Sequence, residues 1–297
     1  MKKISIFIYS IWLSCLLHAQ PGILVFQTDF GLQDGAVAAM KGVAMGVSPQ
    51  LKIFDLTHEI PPYNIWAAAY RLEQTAAYWP KGTVFVSVVD PGVGSNRKSI
   101  VLKTKNGQYF VTPDNGTVSL IAASLGVEEV RIIDEKINRL KGSGNSNTFH
   151  GRDVFAYTGA RLASGKMLFQ QVGPLSNSAL VRIIYQAPVL EKGSIKGIIP
   201  VLDVRYGNVW TNIPDSLLKK INMHYGDSLH VVIYKNEIKK FNAILPFVKT
   251  FADVPDQQYL AYVNSLMNLS VSINQGNFAA EHSIQSGPEW KIEVSKK

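Results

Sequence analysis

The chain has 297 residues, of which 46% are hydrophobic and 18% are charged, and it contains a single cysteine. This hydrophobic share is too high, and the charged share too low, for an intrinsically disordered protein. The length suits roughly two globular domains. One cysteine excludes an internal disulfide framework and any multi-cysteine metal or iron–sulfur site. The formal net charge of +8 permits a polyanionic partner without requiring one.

The first twenty residues resemble a secretory leader. Lys2 and Lys3 precede an uncharged, apolar run over 4–17, which is shorter than the ~20 residues that span a bilayer. The small residue Ala19 predicts cleavage after position 19, so we expect a signal peptide over 1–19 and an exported, periplasmic protein. Lipidation at Cys15 is the alternative, because the residues before it loosely fit a lipobox. A cytoplasmic location follows if the segment is not a leader.

The positive charge does not predict a nucleic-acid partner. Cleavage of the leader would remove two lysines and the only cysteine, which lowers the net charge from +8 to +6. The densest basic set is Lys235, Lys239 and Lys240, with Glu237 among them. No stripe of Arg and Lys alternates with stacking aromatic residues. We therefore expect a solvated basic face, no nucleic acid as partner, and no later segment that spans a membrane.

The chain before residue 187 alternates between strand-like and helix-like segments. The apolar, β-branched patterns predict strands over 23–26, 51–56, 83–89, 100–104, 109–112 and 130–133. The remaining periodic segments predict helices over about 34–46, 66–79, 115–125 and 155–163. Alternation of this kind implies an α/β domain, over 20–187, with a mostly parallel sheet covered by helices.

After about residue 187 the pattern changes to short alternating segments separated by turns. We predict strands over 193–204, 228–234, 241–245, 259–263, 269–273 and 290–294. This spacing is typical of an antiparallel β domain, here over 188–297, in the form of a small barrel or a sandwich. The stretch 186–193 is the expected linker between the two domains.

Three polar clusters interrupt the α/β domain where chemistry is expected. They are TDFGLQD at 28–34, VVDPGVGSNR at 88–97 and NTFHGRD at 147–153. Ligand sites of parallel sheets lie at the carboxyl ends of the strands. Taken singly, each cluster has a structural interpretation: Asp34 can cap a helix, Asp90 can start a turn, and His150 can be a hydrogen-bonded loop residue. Together, an Asp, an Arg and a His on one sheet edge could orient and deprotonate a water.

Other catalytic motifs are weak or absent in the sequence. The GVG at 92–94 lacks the third glycine of a dinucleotide fingerprint. Neither a Gly-x-Ser-x-Gly elbow nor a His-Glu-x-x-His motif is present. His58 and Glu59 have no partner histidine, so we interpret them as structural or as part of a pocket wall. Only Asp and His side chains could hold a metal, and none has a ligand spacing, so no metal is expected.

Six ordered motifs resemble the S-adenosylmethionine hydroxide adenosyltransferase family, whose relatives include fluorinating and chlorinating enzymes. The motifs are TDFG at 28–31, DLTH at 55–58, DPGVG at 90–94, PDNG at 113–116, TFHGRD at 148–153 and DVRYGNVWTNI at 203–213. Because they occur in both predicted domains, the resemblance covers nearly the whole mature chain. It implies hydrolysis of S-adenosyl-L-methionine (SAM) to adenosine and L-methionine by attack of water or hydroxide on ribose C5′. SAM is then the small-molecule substrate, and no cofactor is expected.

The resemblance also implies an assembly and residue roles. The assembly is a homotrimer with a ligand site between the first domain of one subunit and the second domain of its neighbour. The catalytic set that positions the water is Asp90, Arg97 and His150. The substrate-binding set is Asp29 at the ribose diol, Tyr63 against the ribose, Phe149, then Asp203, Tyr206 and Asn208 at the adenine and methionine, and Ser265 at the methionine carboxylate. Leu266 stands where halogenating relatives have an arginine, so carboxylate recognition differs here.

Two other functions stay open at this point: a SAM-dependent halide adenosyltransferase and a non-catalytic adenosine- or SAM-binding protein. Asp90 stands where the halogenating relatives have an uncharged residue, and Gly151 replaces the serine of the fluorinating branch. Desolvating a halide beside a carboxylate costs on the order of several kcal/mol, which favours hydrolysis. Export would separate the protein from cytoplasmic SAM, so a related nucleoside is an alternative natural substrate.

Overall fold

A computed structural model describes residues 21–297 of the chain. The predicted leader, its cleavage site and Cys15 lie outside the described residues. Across 21–297, no helix has the length and apolar character needed to cross a bilayer.

Six strands of the first half form one mixed sheet. They are β1 (Ile23–Thr28), β2 (Lys52–Thr57), β3 (Val84–Val88), β4 (Ser99–Thr104), β5 (Tyr109–Pro113) and β6 (Val127–Ile132). Their order is β2-β1-β3-β5-β4-β6; the first four run parallel, and β4 is antiparallel to both of its neighbours. The short connection between β4 and β5 is too short for a crossover and makes that pair a hairpin. The predicted mostly parallel sheet is confirmed.

Helices cover both faces of this sheet. They are α1 (Ala36–Val47), α2 (Ile65–Ala76), α3 (Ser119–Ser124), α4 (Glu135–Asn138), a π-helical segment (Gly151–Ala156) continuing into α5 (Tyr157–Ala163), and a 3-10 turn (Phe169–Val172). Leu24 and Phe26 pack in the core that contains α1 and α5, whereas Val25 packs in the core that contains α2 and α3. Alternate residues of β1 therefore serve opposite faces, which explains why the strand is apolar over 23–26.

Gly159 lets α5 lie directly on the sheet. A Cβ at this position would come within 2.4 Å of Val86 Cγ2 on β3. His150 directly precedes the π-helical segment, and α5 continues that segment. The contact between Gly159 and β3 therefore also fixes the position of His150 relative to the sheet.

The second half consists of nine strands and two short helices. They are β7 (Val189–Glu191), β8 (Ser194–Ile199), β9 (Val201–Asp203), β10 (Asn208–Pro214), α6 (Asp215–Lys220), β11 (Ser228–Lys235), β12 (Ile238–Pro246), β13 (Tyr259–Val263), β14 (Asn268–Ile273), α7 (Phe278–Glu281) and β15 (Gly287–Lys296), with a 3-10 turn over Phe251–Asp253. Two antiparallel sheets, ordered β13-β14-β10-β9 and β12-β11-β15-β8-β7, share one core around Trp290 and Phe278. The antiparallel architecture is confirmed. Within the described residues neither sheet closes on itself, so the expected barrel closure is not found.

Three local predictions for this half need correction. The expected linker over 186–193 contains β7, which pairs with β8. The single strand expected over 193–204 is interrupted at Pro200, which has no N–H to donate to a ladder. Strand β10 was not predicted as a strand at all. The division of the chain near residue 187 stays a prediction.

Helix α2 connects the two halves through side chains that reach the second half. Trp66 Nε1 donates to the Pro200 carbonyl at 2.7 Å, and Arg71 Nη2 donates to the Leu202 carbonyl at 3.1 Å. These bonds anchor the start of β9, which ends at the predicted substrate-binding residue Asp203.

Candidate functional site

The carboxyl ends of the parallel strands border a cavity of about 330 Å³, which we call the N-terminal cavity. The predicted site residues that line it are Asp29, Tyr63, Asp90, Phe149 and His150. Asp29 follows β1 directly and Asp90 follows β3 after one residue, as expected for loops at one edge of a parallel sheet. The structure thus brings together five residues from four segments that are far apart in sequence.

Asp29 is held by the backbone of the neighbouring loop. Its Oδ2 accepts a hydrogen bond of 2.9 Å from the Tyr63 N–H. Tyr63 has the left-handed φ of 67°, and its side chain is 70% exposed beside the cavity. A non-glycine residue in this conformation is uncommon and marks a loop whose shape is imposed by its surroundings.

Asp90 and Arg97 form an ion pair at the rim of this cavity. Asp90 Oδ1 accepts from Arg97 Nη1 and, at 3.2 Å, from the Gly92 N–H, whereas Oδ2 has no partner in 21–297. The Asp90 side chain is only 10% exposed. Arg97 lies against Gly92, where a Cβ would come within 2.8 Å of Nη2. One carboxylate oxygen is therefore fixed by the protein and the other is available to a ligand.

The PDNG motif at 113–116 supports the Asp90 loop. The buried Asn115 donates from Nδ2 to the Val89 carbonyl at 2.8 Å, and its Oδ1 accepts from the Thr117 N–H at 3.1 Å. This motif therefore acts on the site through the backbone immediately before Asp90.

His150 lies where the π-helical segment begins, and Arg139 contacts it from the region of α4. Arg139 Nη2 is 3.0 Å from His150 Nε2 and 2.6 Å from Glu135 Oε2. Sequence reasoning missed both Arg139 and Glu135. Their spacing of four residues indicates only an ordinary helical ion pair, and no pattern connects them to His150.

The residues that flank His150 are tightly packed. A Cβ at Gly151 would come within 3.2 Å of ring carbons of Phe30. Phe149 meets the same Phe30 ring edge to face, with centroids 6.0 Å apart. Arg152 donates to both oxygens of the fully buried Asp153 and lies over the Phe149 ring. Arg152 and Asp153 therefore form a scaffold for Phe149 and His150.

A second hydrogen-bonded group lies behind Asp29. His58 Nδ1 is 2.8 Å from Thr28 Oγ1, and its Nε2 is 3.0 Å from Asp55 Oδ1. Lys41 donates to Asp55 Oδ2 at 2.6 Å, and the Gly31 N–H donates to the His58 carbonyl at 2.8 Å. The interpretation of His58 as a structural residue is consistent with these contacts.

The other four predicted binding residues line a separate cavity of about 930 Å³, the C-terminal cavity. They are Asp203, Tyr206, Asn208 and Ser265. Polar or aromatic neighbours that sequence reasoning missed are Arg205, Trp210, Lys249, Tyr262, Gln275 and Asn277. Arg205 and Trp210 lie within the 203–213 motif but had no role assigned to them, whereas the other four come from separate strands and loops outside the recognised motifs.

Asn208 holds the carboxylate of Asp203 in place. It donates from Nδ2 to Asp203 Oδ2 at 3.2 Å, and its Oδ1 accepts from the Ser272 hydroxyl. Gly207 has φ of 69°, and a Cβ there would collide with Asn277. The buried Asn208 is thus engaged by the protein, whereas Tyr206 is 62% exposed at the cavity.

The two cavities share no lining residue. Within one chain, the predicted site residues therefore fall into two groups: the water-positioning and ribose residues in the first half, and the adenine and methionine residues in the second.

Comparisons with known proteins agree with the motifs over most of the chain. The model of the SAM hydroxide adenosyltransferase N-terminal domain matches residues 24–173, and the model of its C-terminal domain matches residues 197–291. An (R)-S-adenosyl-L-methionine hydrolase of Salinispora tropica is 36% identical over 269 residues, which are 90% of this chain and 96% of the relative. A fluorinase of Actinopolyspora mzabensis is 26% identical over 294 residues, covering 91% and 96%. The crystal structure of an uncharacterized conserved protein from Thermotoga maritima, 34% identical, matches with a TM-score of 0.84 over 92% of this chain and 99% of that chain.

Proposed function

The chain belongs to the SAM hydroxide adenosyltransferase family, and we infer that it is an enzyme that hydrolyses SAM to adenosine and L-methionine. The observation that carries the mechanism is the Asp90 carboxylate in the N-terminal cavity, with Oδ1 bound to Arg97 and Oδ2 unpartnered in 21–297. His150 and Asp29 line the same cavity. A carboxylate held in this way can accept a proton from a water placed between it and a substrate.

The reaction requires little more than a positioned water. The water oxygen attacks ribose C5′, and the C5′–S bond breaks with its electron pair left on sulfur. The sulfonium becomes a neutral thioether, so methionine leaves without being protonated. One water proton goes to Asp90 Oδ2 and later to solvent. Orientation of the nucleophile and exclusion of bulk water are then the main contributions of the protein.

Carboxylates suit the charge of this substrate. Asp29 Oδ2 is occupied by the Tyr63 N–H, which leaves Oδ1 to accept from the ribose hydroxyls. Asp29, which forms no ion pair within 21–297, also places negative charge near a cationic sulfonium, and this favours binding of the substrate.

The complete site is formed, in our proposal, between two subunits of a homotrimer. The N-terminal cavity of one subunit supplies Asp29, Asp90 and His150, and the C-terminal cavity of its neighbour supplies the residues around Tyr206. The exposed rings of Tyr63 and Tyr206 support this arrangement, since large exposed aromatic side chains at a cavity mark surfaces that a ligand or partner covers. In this site Ser265 binds the methionine carboxylate and Asn208 orients Asp203.

The sulfonium centre has two configurations, and the hydrolase relative is named for the (R) form. We therefore include (R)-SAM among the proposed substrates and assay the two diastereomers separately.

Halide transfer is the competing reaction. The fluorinase relative is similar over most of its length, but at lower identity than the hydrolase relative. A halide in the N-terminal cavity would lie near the Asp90 carboxylate, and the close packing of Gly151 on Phe30 leaves no room for a hydroxyl-bearing side chain there without a shift of the ring. Both features favour water as the nucleophile.

The test is product analysis with the protein lacking residues 1–19. Each SAM diastereomer is incubated with and without chloride or fluoride, and adenosine, methionine and 5′-halogenated deoxyadenosine are separated by chromatography. We expect adenosine and methionine in equal amounts and no halogenated product. Asp90→Asn should lower kcat about 10²-fold or more while substrate binding is retained. The control is Glu237→Gln, which changes an exposed acidic residue on a β-hairpin and should leave kcat unchanged. SAM binding without adenosine would instead support the non-catalytic alternative.

Export is a separate proposal that rests on the predicted leader alone. Expression of the whole chain in a bacterial host, followed by fractionation and N-terminal sequencing, tests it. Periplasmic protein that begins at Gln20 is expected. A chain that keeps Met1 in the cytoplasm would contradict it, and a lipid-modified Cys15 would indicate the lipoprotein alternative.

A further inference from the structure

Another cavity lies where α2 and α3 face the second half of the chain. Its volume is about 320 Å³, and we call it the junction cavity. Trp66, Tyr70 and Glu73 line it from α2, since residues three and four positions apart share one face of a helix. Tyr185 lines it from the segment before β7, and Asn212 lines it from β10. The junction cavity shares no lining residue with the N-terminal or the C-terminal cavity.

Glu73 gives the junction cavity a negative charge that no cation in 21–297 balances. It is the only charged residue of the described chain that lines this cavity. Its carboxylate makes no hydrogen bond or ion pair there, and burial raises the pKa of this group with no nearby cation to oppose the shift. A half-buried carboxylate of this kind favours a positively charged ligand.

The carboxylate of Glu73 is accessible and lies on the side of α2 that borders the cavity. Its oxygens remain open to solvent, unlike the Tyr70 hydroxyl, which is closed off. Burial and, next, the negative charge of Glu73 raise the pKa of Tyr70, so the carboxylate lies near this neighbour on the same helix face. A ligand in the cavity can therefore approach the Glu73 oxygens.

Two aromatic rings line the cavity as well. The ring centroids of Trp66 and Tyr185 are 5.6 Å apart, and the ring planes are inclined by 57°. The Trp66 ring is fixed because its Nε1 donates to the Pro200 carbonyl at 2.7 Å. Asn212 holds the segment that carries Tyr185, since its Nδ2 donates to the Gln186 carbonyl at 2.9 Å. Aromatic faces attract cations, and the face of tryptophan does so most strongly.

The polar groups of the cavity indicate which kind of cation fits. A primary ammonium has three hydrogens to donate, and a divalent metal ion prefers several oxygen ligands. The junction cavity offers one carboxylate, and Asn212 Oδ1 already accepts from the Ile198 N–H at 2.8 Å. A quaternary ammonium donates no hydrogen bond and requires only negative charge and aromatic faces. The volume is at the lower end of the range for small-molecule sites, roughly 300–1,000 Å³, so the ligand is small.

We propose that the junction cavity binds a small quaternary ammonium ion, with Glu73 as its counter-charge and the Trp66 and Tyr185 rings as its walls. The binding is non-covalent and does not depend on the hydrolysis of SAM. Because residues of both halves form the site, a ligand bound there should also stabilise the folded protein by mass action.

The test compares choline with the uncharged alcohol in which a tert-butyl group replaces the trimethylammonium group. The two probes have nearly the same shape and differ in charge. We expect choline to bind the purified protein saturably in calorimetry and to raise its Tm, and we expect the alcohol to bind about tenfold more weakly or worse. Equal binding of the two probes, or no saturable binding of choline, would overturn the proposal. This comparison uses the wild-type protein, so it is decisive even if a variant does not fold.

Substitutions in the cavity locate the bound probe. Glu73→Gln removes the charge with little change of shape, and Tyr185→Leu removes one ring; each should weaken choline binding about tenfold or more. Glu237→Gln and Tyr78→Leu change an exposed carboxylate and an exposed ring elsewhere, and both should bind choline as the wild type does. Unchanged binding in Glu73→Gln or in Tyr185→Leu would overturn the proposal.

The carboxylates of the other two cavities provide the last comparison. Asp29→Asn and Asp203→Asn should keep the affinity for choline. Loss of choline binding in either variant would place the ligand in the N-terminal or the C-terminal cavity and would overturn the proposal. All of these measurements are made without SAM. If choline binds as expected and no SAM is hydrolysed, the proposed function fails and the junction site stands.

Discussion

The hydroxyl of Thr28 and the imidazole of His58 share a buried hydrogen bond of 2.8 Å that joins the end of β1 to the end of β2. Thr28 Oγ1 also accepts from the Phe30 N–H at 3.2 Å. An ionised Asp55 carboxylate can only accept, so the opposite nitrogen of His58 donates to it. With the ring neutral, Nδ1 then accepts from the Thr28 hydroxyl. This chain of bonds encloses Asp29, the residue that we assign to the ribose hydroxyls.

Removing the His58 imidazole should therefore weaken substrate binding. In His58→Ala, the buried Thr28 hydroxyl loses its acceptor and the backbone around Asp29 loses its support. We expect the free energy of unfolding to fall by about 1–3 kcal/mol and KM to rise more than kcat falls. Urea unfolding and steady-state kinetics measure both. His224→Ala, which removes an exposed imidazole from a turn, is the matched control and should behave as wild type. Unchanged KM in His58→Ala would show that the Asp29 loop does not depend on this bond.

The same network predicts how stability depends on pH. Burial raises the pKa of Asp55, but the hydrogen bonds from Lys41 and His58 outweigh it and hold the pKa below its ordinary value of 3.8. A carboxyl group with a lowered pKa in the folded state stabilises the fold above about pH 3.8. This stabilisation is lost as the pH falls through the folded-state pKa.

Asp55→Asn should accordingly be less stable than wild type near neutral pH, and the difference should shrink as the pH falls below about 3.8. Unfolding by urea between neutral and acidic pH measures the difference at each pH. Glu237→Gln serves as the acidic control. A difference that is constant at all pH values would mean that the charge of Asp55 contributes nothing.

The proposal of a site between subunits predicts complementation. Asp90→Asn affects the N-terminal cavity and Tyr206→Ala the C-terminal cavity, and each protein alone should be strongly impaired. When the two are co-expressed, about one quarter of the sites in randomly mixed trimers combine two intact halves, so activity should return to about that level.

Two mutations in the same cavity provide the control. Mixing Asp90→Asn with Asp29→Ala cannot create an intact N-terminal cavity, so no activity should return. Absence of recovery in both mixtures, with mixed oligomers demonstrated, would place the whole site within one chain.

Much of the fold was predictable because its signals are local. β3 is buried on both faces and is uncharged and rich in β-branched residues, with Ser87 as its one polar residue, so its composition identifies it. β10 was missed because polar residues, Asn208 and Thr211, occupy two of its four buried positions. Its Thr211 donates to the Leu269 carbonyl at 2.8 Å, and this bond compensates the burial but is formed with a residue 58 positions away. No sequence pattern within β10 indicates that Thr211 has a hydrogen-bond partner so far along the chain.

The sequence also allowed part of the candidate site to be predicted. Asp29 and Asp90 follow strands that are easily recognised, so their meeting at one sheet edge follows from parallel topology. Arg139 was not predictable, since its relation to His150 depends on how the segment after α4 and the π-helical segment fold against each other. The separation of the residues into two cavities was expected only from the family resemblance, because no pattern in the sequence itself indicates it.

The central claim is that water attacks ribose C5′ while Asp90 accepts its proton. Hydrolysis of SAM in H₂¹⁸O tests it most directly, with mass spectrometry of both products. We predict one ¹⁸O atom at the 5′ position of adenosine and none in methionine, at a rate that Asp90→Asn lowers about 10²-fold. Adenosine without the label, or label in methionine, would contradict attack at C5′, and an undiminished rate in Asp90→Asn would remove Asp90 from the mechanism.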